Sequence, residues 1–197
     1  HARTVPFTVG VPFPRGALRN TGNLRLVDGE GRETPLQVKE TAKWTRFGSI
    51  KWVLCDFAAD LEGGPRRFHL EYGPDGRRGV PDGLDVDVAE AGFPALETGR
   101  LRFGDGVWLR GDDGAWRKVL DEAALSGGYV IHEDGREFRM DPQGEYVLEE
   151  EGPEKVVVLR RGWFREPATG DEFCQHVTRF VVHRGSPLVR VFFTWIF

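Results

Sequence analysis

The stretch Gly48-Ser-Ile-Lys-Trp-Val-Leu-Cys-Asp-Phe-Ala-Ala-Asp-Leu61 is the densest apolar run in the first half of the chain. A Gly-Ser turn signal precedes it, and apolar residues then fill both alternating sets of positions around Val53. This pattern is typical of a strand that is covered by protein on both faces. We therefore expect a long central strand here, with the other apolar segments of the first half packed around it.

Shorter apolar segments lie on either side of this strand, at residues 5–14, 24–27, 36–39 and 68–72, and clusters of Gly, Asn, Asp and Pro separate them. Short apolar segments between such turn signals are typical of antiparallel β-structure. The spacing predicts a small, closed or nearly closed antiparallel barrel that forms an N-terminal domain over residues 1–80.

A second β-domain is predicted over residues 84–197. Gly73–Gly83 contains four Gly and two Pro and has little to bury, so we place the domain boundary there. The segments Lys155–Arg165, Glu172–His183 and Leu188–Phe197 are long strand signals with short connections, which predicts an antiparallel meander in one layer of a sandwich. The fold class is therefore all-β, with a small barrel followed by an antiparallel sandwich that need not be complete within this chain.

The order of Pro, Gly and Trp residues in the first 85 positions also resembles that of a known family. In order, the segments that carry the resemblance are 11–16, 28–31, 35–37, Trp44, 48–52 and Asp56-Phe57. They resemble the N-terminal barrel of the exo-rhamnogalacturonan lyase/YetA-like proteins, grouped as polysaccharide lyase family 26. Segments 97–103, 150–153 and 185–191 resemble the start of the central β-sandwich of the same family. The resemblance implies an acidic residue at position 47, where this chain has Phe47.

The resemblance has consequences for function. It implies an exported protein associated with pectic rhamnogalacturonan, and it implies that most catalytic groups lie in a C-terminal helical toroid. No segment of this chain has the apolar periodicity of such helices. We therefore expect a non-catalytic, carbohydrate-associated or scaffolding module, inactive as a lyase by itself.

The charge and the hydropathy of the chain limit the classes of partner that it could bind. The formal net charge is −4, acids and bases alternate along the chain, and no basic stripe is present, which argues against nucleic acid. No apolar run reaches the length of a membrane span, so we expect no membrane insertion. The remaining candidate partners are a pectic polysaccharide and a second copy of the chain.

The chain begins at His1, and its one methionine is Met140. Removal of a signal peptide would explain this start and predicts an extracellular or periplasmic location, although a tag remnant would look the same. The two cysteines, Cys55 and Cys174, are about 120 positions apart in apolar surroundings. Two buried free thiols are the favoured interpretation, and a disulfide between them stays open.

Six tryptophans supply the candidate binding residues. Trp44, Trp108 and Trp116 lie beside turns and could stack on sugar rings, although packing in a core or at its rim is the favoured interpretation. The other three, Trp52, Trp163 and Trp195, lie within strands and are expected to fill cores.

Catalytic and metal sites find little support in the sequence. Tyr129, His132, Arg136 and Arg139 are close together, but Tyr129 and His132 are three positions apart in a strand and so point to opposite faces. An N-terminal histidine could bind copper, yet nothing singles out a partner for His1. We expect no catalytic residue, no metal and no cofactor.

The last predicted strand, Leu188–Phe197, is apolar on both faces, and we expect some surface to cover it. The chain's own sandwich is the favoured cover, because consecutive strands usually pair. The alternative is a neighbouring copy, which would make the chain a subunit of an extracellular oligomer or filament. The candidate interface residues are then Phe192, Phe193, Trp195 and Phe197.

Overall fold

The structure is a computed structural model that describes residues 4–197 except 63–65, 75, 77–78, 80–83, 88–94, 105, 122–127 and 142–143. The chain divides into two compact units. Unit 1 comprises residues 1–83 and the segment Gly152–Lys155, and unit 2 comprises Leu84–Glu151 and Val156–Phe197. The boundary predicted within Gly73–Gly83 falls mostly outside the described residues and stays a prediction.

Unit 1 is built from six strands and one 3-10 turn. They are β1 Thr4–Pro12, the turn Thr21–Asn23, β2 Leu24–Asp28, β3 Glu33–Thr34, β4 Gln37–Lys43, β5 Ile50–Asp60 and β6 Phe68–Tyr72. The strands form two antiparallel sheets, in the orders β1-β5-β4 and β3-β2-β6. Side chains from both sheets and their connections share one core: Phe13, Leu18, Leu24, Leu26, Leu36, Ile50, Val53 and Cys55. The small antiparallel barrel predicted from the sequence is confirmed.

Strand β5 is the predicted central strand, and it pairs with β1 on one side and β4 on the other. Its burial is less complete than expected. Val53 and Cys55 are buried, whereas Trp52 is 41% exposed. The expectation that Trp52 fills a core is therefore wrong. Trp52 lies on the opposite face of β5 from the buried side chains of Val53 and Cys55, so the barrel core does not cover it.

Unit 2 contains two larger sheets. The first has the order β11-β10-β9-β8-β7, with β7 Asp85–Asp87, β8 Ala95–Glu97, β9 Leu101–Phe103, β10 Gly106–Arg110 and β11 Trp116–Asp121. The second has the order β12-β13-β15-β16-β17, with β14 also paired to β15; its strands are β12 Tyr129–Ile131, β13 Glu137–Met140, β14 Glu145–Glu150, β15 Lys155–Arg165, β16 Glu172–His183 and β17 Val189–Ile196. The adjacent order of β15, β16 and β17 is the predicted meander.

The two sheets of unit 2 share a hydrophobic core. The five-stranded sheet and the residue before it contribute Leu84, Leu96, Leu101, Phe103 and Val107, and the six-stranded sheet contributes Val156, Val158, Phe180 and Val182. A second cluster within the six-stranded sheet contains Phe138, Met140, Phe164 and Cys174. Side chains of two antiparallel sheets thus meet in one layer, which confirms the predicted sandwich.

Both cysteines are buried free thiols, as the sequence favoured. Burial raises the pKa of the Cys174 thiol, so this group resists ionisation and reaction. Within the part of the chain that the structure describes, no helix is long and apolar enough to cross a membrane.

Candidate functional site

Two of the three candidate tryptophans lie side by side on the five-stranded sheet of unit 2. Strand alternation sends Phe103 and Val107 into the core and turns their neighbours outward. The outward residues of β9, β10 and β11 form what we call the cationic indole surface: Arg102, Trp108, Arg110, Trp116 and Lys118. Cross-strand pairing fixes their order, because Trp108 lies opposite Arg102 and Lys118, and Trp116 lies opposite Arg110.

Basic groups lie over both indole rings. The Arg102 guanidinium carbon is 4.4 Å from the centroid of the Trp116 ring, and that of Arg110 is 5.8 Å away. The Lys118 Nζ atom is 5.1 Å from the centroid of the Trp108 ring. Such cation–π contacts hold the rings in place and leave a patch that is aromatic and positive at once.

Acidic and backbone partners orient part of this surface. The Arg102 guanidinium forms an ion pair of 2.9 Å with the Glu97 carboxylate on β8, and both side chains are about two-fifths exposed. Arg110 Nε donates a hydrogen bond to the backbone oxygen of Gly114. Sequence reasoning found the two tryptophans but missed the cations. The signal was available, since folding 107–120 as a hairpin around Asp112-Asp113-Gly114 places those cations beside the indoles.

Trp44, the third candidate, lies in unit 1 at the end of the β4–β5 hairpin. Its indole Nε1 donates a hydrogen bond of 3.0 Å to the backbone oxygen of Phe13, and the Lys51 Nζ atom lies 4.9 Å from its ring centroid. The ring is 41% exposed. Phe47 in the same turn is 86% exposed and contacts the Arg46 guanidinium. Trp44 is therefore partly accessible to solvent, and its indole Nε1 has a structural role in closing the hairpin.

The cluster around His132 is a salt-bridged turn. His132 Nδ1 lies 2.9 Å from Asp134, and Arg136 forms ion pairs with Asp134 and Asp171. Hydrogen bonds from the backbone and side chain of Arg136 hold the pKa of Asp134 well below its usual range. Tyr129 is 61% exposed and lies opposite Arg139 in the strand pairing. These contacts describe a hairpin held by ion pairs between neighbouring side chains.

Among the described residues, no group of three or more His, Cys, Asp or Glu side chains is placed to hold a metal ion. His1, the residue considered for copper, lies outside the described residues.

A polar cavity of about 510 Å³ opens in the six-stranded sheet of unit 2, and no local sequence pattern indicated it. Its walls include Asp141, Gly162, Trp163, Gln175 and His176. Trp163 is half-buried, so the expectation that it fills a core is only partly met. His176 is fully buried, and neither of its ring nitrogens has a hydrogen-bond partner among the described residues. Burial, with the nearby Arg160 charge, lowers the pKa of His176 to about 4.

The candidate interface residues lie on β17, at the edge of the six-stranded sheet in the described strand order, and just beyond it. Trp195 is 56% exposed and Phe197 is 87% exposed, and Phe192 and Phe193 are also exposed. Strand β17 pairs with β16 as expected. The expectation that the chain's own sandwich buries Trp195 is wrong, because this pairing covers one edge of β17 and leaves its side chains open.

Comparisons with known proteins agree with this architecture. A solved crystal structure of an alpha-mannosidase from Enterococcus faecalis V583 is similar over 98% of this chain, with a TM-score of 0.50 and 10% sequence identity. The chain spans 28% of that protein, and the low identity limits the likeness to the fold. No curated protein matches the chain. Residues 1–63 match the family model of the PcRGLX-like N-terminal RIFT barrel domain, which confirms the rhamnogalacturonan lyase-like resemblance for this part of the chain.

Proposed function

We propose that the chain is a carbohydrate-binding β-module that holds an acidic, pectic polysaccharide on the cationic indole surface of unit 2. The observation that carries the proposal is the placement of Trp108 and Trp116 among three basic side chains on one sheet face. The family match of residues 1–63 supports a carbohydrate-related role, and the lyase-like resemblance supports a pectic polymer.

The chemistry of the surface suits a chain of uronate sugars. The apolar face of a pyranose ring packs on an indole, and a guanidinium binds a carboxylate through two parallel hydrogen bonds. Arg102 and Arg110 lie close enough to Trp116 for one sugar residue to use both kinds of contact.

The proposal extends to location. A module for pectic polymers would work outside the cell or in the periplasm, after export. The role proposed is binding, and lyase chemistry is not assigned to any residue of this chain.

Binding to polygalacturonate tests the proposal. We expect affinity electrophoresis or calorimetry to show binding that weakens as salt rises, because the carboxylate contacts are exposed and screened. Trp116→Ala and Arg102→Gln should each weaken binding about tenfold, which corresponds to about 1.4 kcal/mol. A neutral galactan should bind much more weakly.

The control is Arg139→Gln, which removes an exposed arginine whose ion pair with Glu137 resembles that of Arg102 with Glu97. Trp44→Ala tests whether the turn of unit 1 contributes. Both variants should bind polygalacturonate like the unmodified chain. Equal binding by Trp116→Ala, Arg102→Gln and the unmodified chain would refute the assignment of this surface.

The second candidate is self-association through β17, which would make the chain a subunit of an oligomer or filament. An edge strand presents unpaired backbone groups, and exposed apolar side chains beside them favour pairing with another chain. Five residues of β17 combine these features: Val191, Phe192, Phe193, Trp195 and Ile196. This candidate accounts for the exposed strand, and it is compatible with polysaccharide binding on the other sheet.

A further inference from the structure

The cavity in the six-stranded sheet forms where β15 changes partners. Strand β14 pairs with β15 from Val157 to Arg161, and β13 pairs with Phe164 and Arg165 further along the same strand. Gly162 and Gly144 both line the cavity at this change, and neither carries a side chain to fill it. The opening is therefore a consequence of two glycines at one position in the sheet.

Two buried nitrogens lie beneath these glycines. A methyl group on Gly162 would lie 3.0 Å from His176 Nε2, and one on Gly144 would lie 3.1 Å from Arg160 Nε. Both atoms are buried and have no hydrogen-bond partner among the described residues. A buried nitrogen without a partner is unfavourable, so a hydroxyl group that reached it would be bound favourably.

The two nitrogens differ in what they offer. Arg160 Nε is a donor only, and the rest of its guanidinium already donates to the backbone oxygen of Asp141 and to Met140 Sδ. His176 is neutral near pH 7, because its pKa is about 4, so its ring offers one donor and one acceptor. A hydroxyl group, which both donates and accepts, matches this pair.

Four charged side chains of the cavity lining form two ion pairs. Arg165 lies 2.8 Å from the Asp141 carboxylate, and Arg161 lies 2.6 Å from the Glu145 carboxylate. An anionic ligand would have to compete with those carboxylates for the guanidinium groups. A neutral ligand with several hydroxyls can bind to the paired groups without separating them.

The cavity also has an aromatic wall and a suitable size. Trp163 offers an indole for the apolar face of a sugar ring, and Gln175 offers an amide that donates and accepts. Its volume of about 510 Å³ lies within the range of about 300–1,000 Å³ that is usual for small-molecule sites.

We propose that this cavity is a binding site for a neutral sugar residue, held by Trp163, Gln175 and His176. The site is separate from the acidic-polymer surface of the proposed function, because it lies on the other sheet of unit 2. Each can therefore be present without the other.

The test uses the ring nitrogens of His176 as reporters in nuclear magnetic resonance of the ¹⁵N-labelled chain. The probes are D-galactose, D-glucose, D-mannose, L-rhamnose, L-arabinose and D-xylose, each titrated up to its solubility, with D-galacturonate as the charged probe. We expect at least one neutral sugar to shift the His176 ring signals and the Trp163 indole signal together. Galacturonate should shift them less than the neutral sugar of the same configuration.

Three variants test whether the sugar binds in this cavity. Gly162→Ala places a methyl group between the cavity and His176 Nε2 and should weaken binding of that sugar at least about tenfold. Gln175→Leu changes the wall without adding bulk beneath it and should weaken binding as well, which guards against a folding defect in the first variant. Gly104→Ala, whose methyl group would meet nothing within 4 Å, should bind like the unmodified chain. The proposal is overturned if no neutral sugar shifts the His176 signals, if galacturonate binds better, or if the Gly162 and Gln175 variants bind undiminished.

Discussion

The Nζ atom of Lys155 lies 2.8 Å from the Oδ2 atom of Asp56, and both side chains are almost wholly removed from solvent. The other carboxylate oxygen of Asp56 accepts a hydrogen bond from the Thr8 hydroxyl. Lys155 ends the segment Gly152–Lys155, which belongs to unit 1 although 99 positions separate Lys155 from Asp56. A buried ion pair thus binds a distant piece of the chain to the barrel.

Breaking this pair should destabilise unit 1 strongly. We expect Asp56→Ala to lower the free energy of unfolding by about 3–5 kcal/mol, because the Lys155 charge would remain buried without its partner. Urea unfolding followed by circular dichroism measures the change. The double variant Asp56→Leu, Lys155→Met should be less destabilised than Asp56→Ala, since it leaves no buried charge.

The control for this prediction is an exposed ion pair. Arg161 and Glu145 lie 2.6 Å apart, but both side chains are more than half exposed. Arg161→Gln should therefore cost less than about 1 kcal/mol. If Asp56→Ala costs no more than Arg161→Gln, the buried pair does not hold the segment in place.

A second contact fastens the same segment. The Gln37 side-chain oxygen accepts hydrogen bonds from the backbone nitrogens of Glu154, at 3.0 Å, and Lys155, at 2.8 Å. A methyl group on Gly152 would lie 2.3 Å from that oxygen. Gly152→Ala must therefore displace the Gln37 amide, and we expect it to lower the free energy of unfolding by about 1–3 kcal/mol.

Gly10→Ala is the comparison, because its methyl group would meet only ordinary contacts at 3.8 Å and beyond. Both variants would be measured by the same urea unfolding. Equal stability of the Gly152 and Gly10 variants would show that the segment adjusts freely around Gln37.

Local patterns of apolar residues predicted most of the strands. The features that these patterns did not predict depend on contacts between residues far apart in the chain. The continuous apolar run around Val53 identified β5, because a strand covered on both faces needs apolar residues at successive positions. The return of Gly152–Lys155 to unit 1 was not predictable, since a lysine in a sequence normally indicates a solvated position. Trp52 was placed in a core because the sequence is apolar on both faces of β5 and does not show which face the barrel core covers.

The candidate sites also differ in whether a local sequence pattern or a long-range contact forms them. Trp108 and Trp116 could be found from the sequence because each lies beside a turn of one local hairpin. The cavity depends on Gly144 and Gly162 meeting where β15 changes partners, which is a property of strand pairing. The burial of His176 follows from aromatic neighbours on the two adjacent strands, with Phe164 at 5.4 Å and Phe193 at 6.2 Å between ring centroids.

Charges on β17 should abolish any self-association. Phe192 is 50% exposed and Ile196 is 45% exposed, and four positions separate them on one face of the strand. We expect sedimentation of the unmodified chain to show oligomers that grow with concentration. The double variant Phe192→Lys, Ile196→Lys should be monomeric and folded, because like charges on an edge strand oppose pairing between copies.

The matched variant is Ile131→Lys, which places a lysine at a 63% exposed position on β12, at the opposite edge in the described strand order. It should associate like the unmodified chain. A concentration-independent monomer for the unmodified chain would contradict self-association through β17.

The buried His176 should make the stability of unit 2 depend on pH. Its folded-state pKa of about 4 lies below the ordinary value of 6.5, because burial and the Arg160 charge oppose protonation while Asp141 only partly offsets them. The unfolded chain therefore binds the proton first as the pH falls. The stability that neutral His176 gives to the folded chain is complete above about pH 6.5 and is lost progressively towards pH 4. The free energy of unfolding should therefore fall by on the order of 2 kcal/mol between about pH 7 and pH 5.

Urea unfolding at both pH values measures this loss, and His176→Phe should remove the part of the loss that His176 causes. His69→Gln, at an exposed position in unit 1, leaves His176 in place and should retain the full loss. An unchanged pH profile in His176→Phe would show that His176 is not the group responsible.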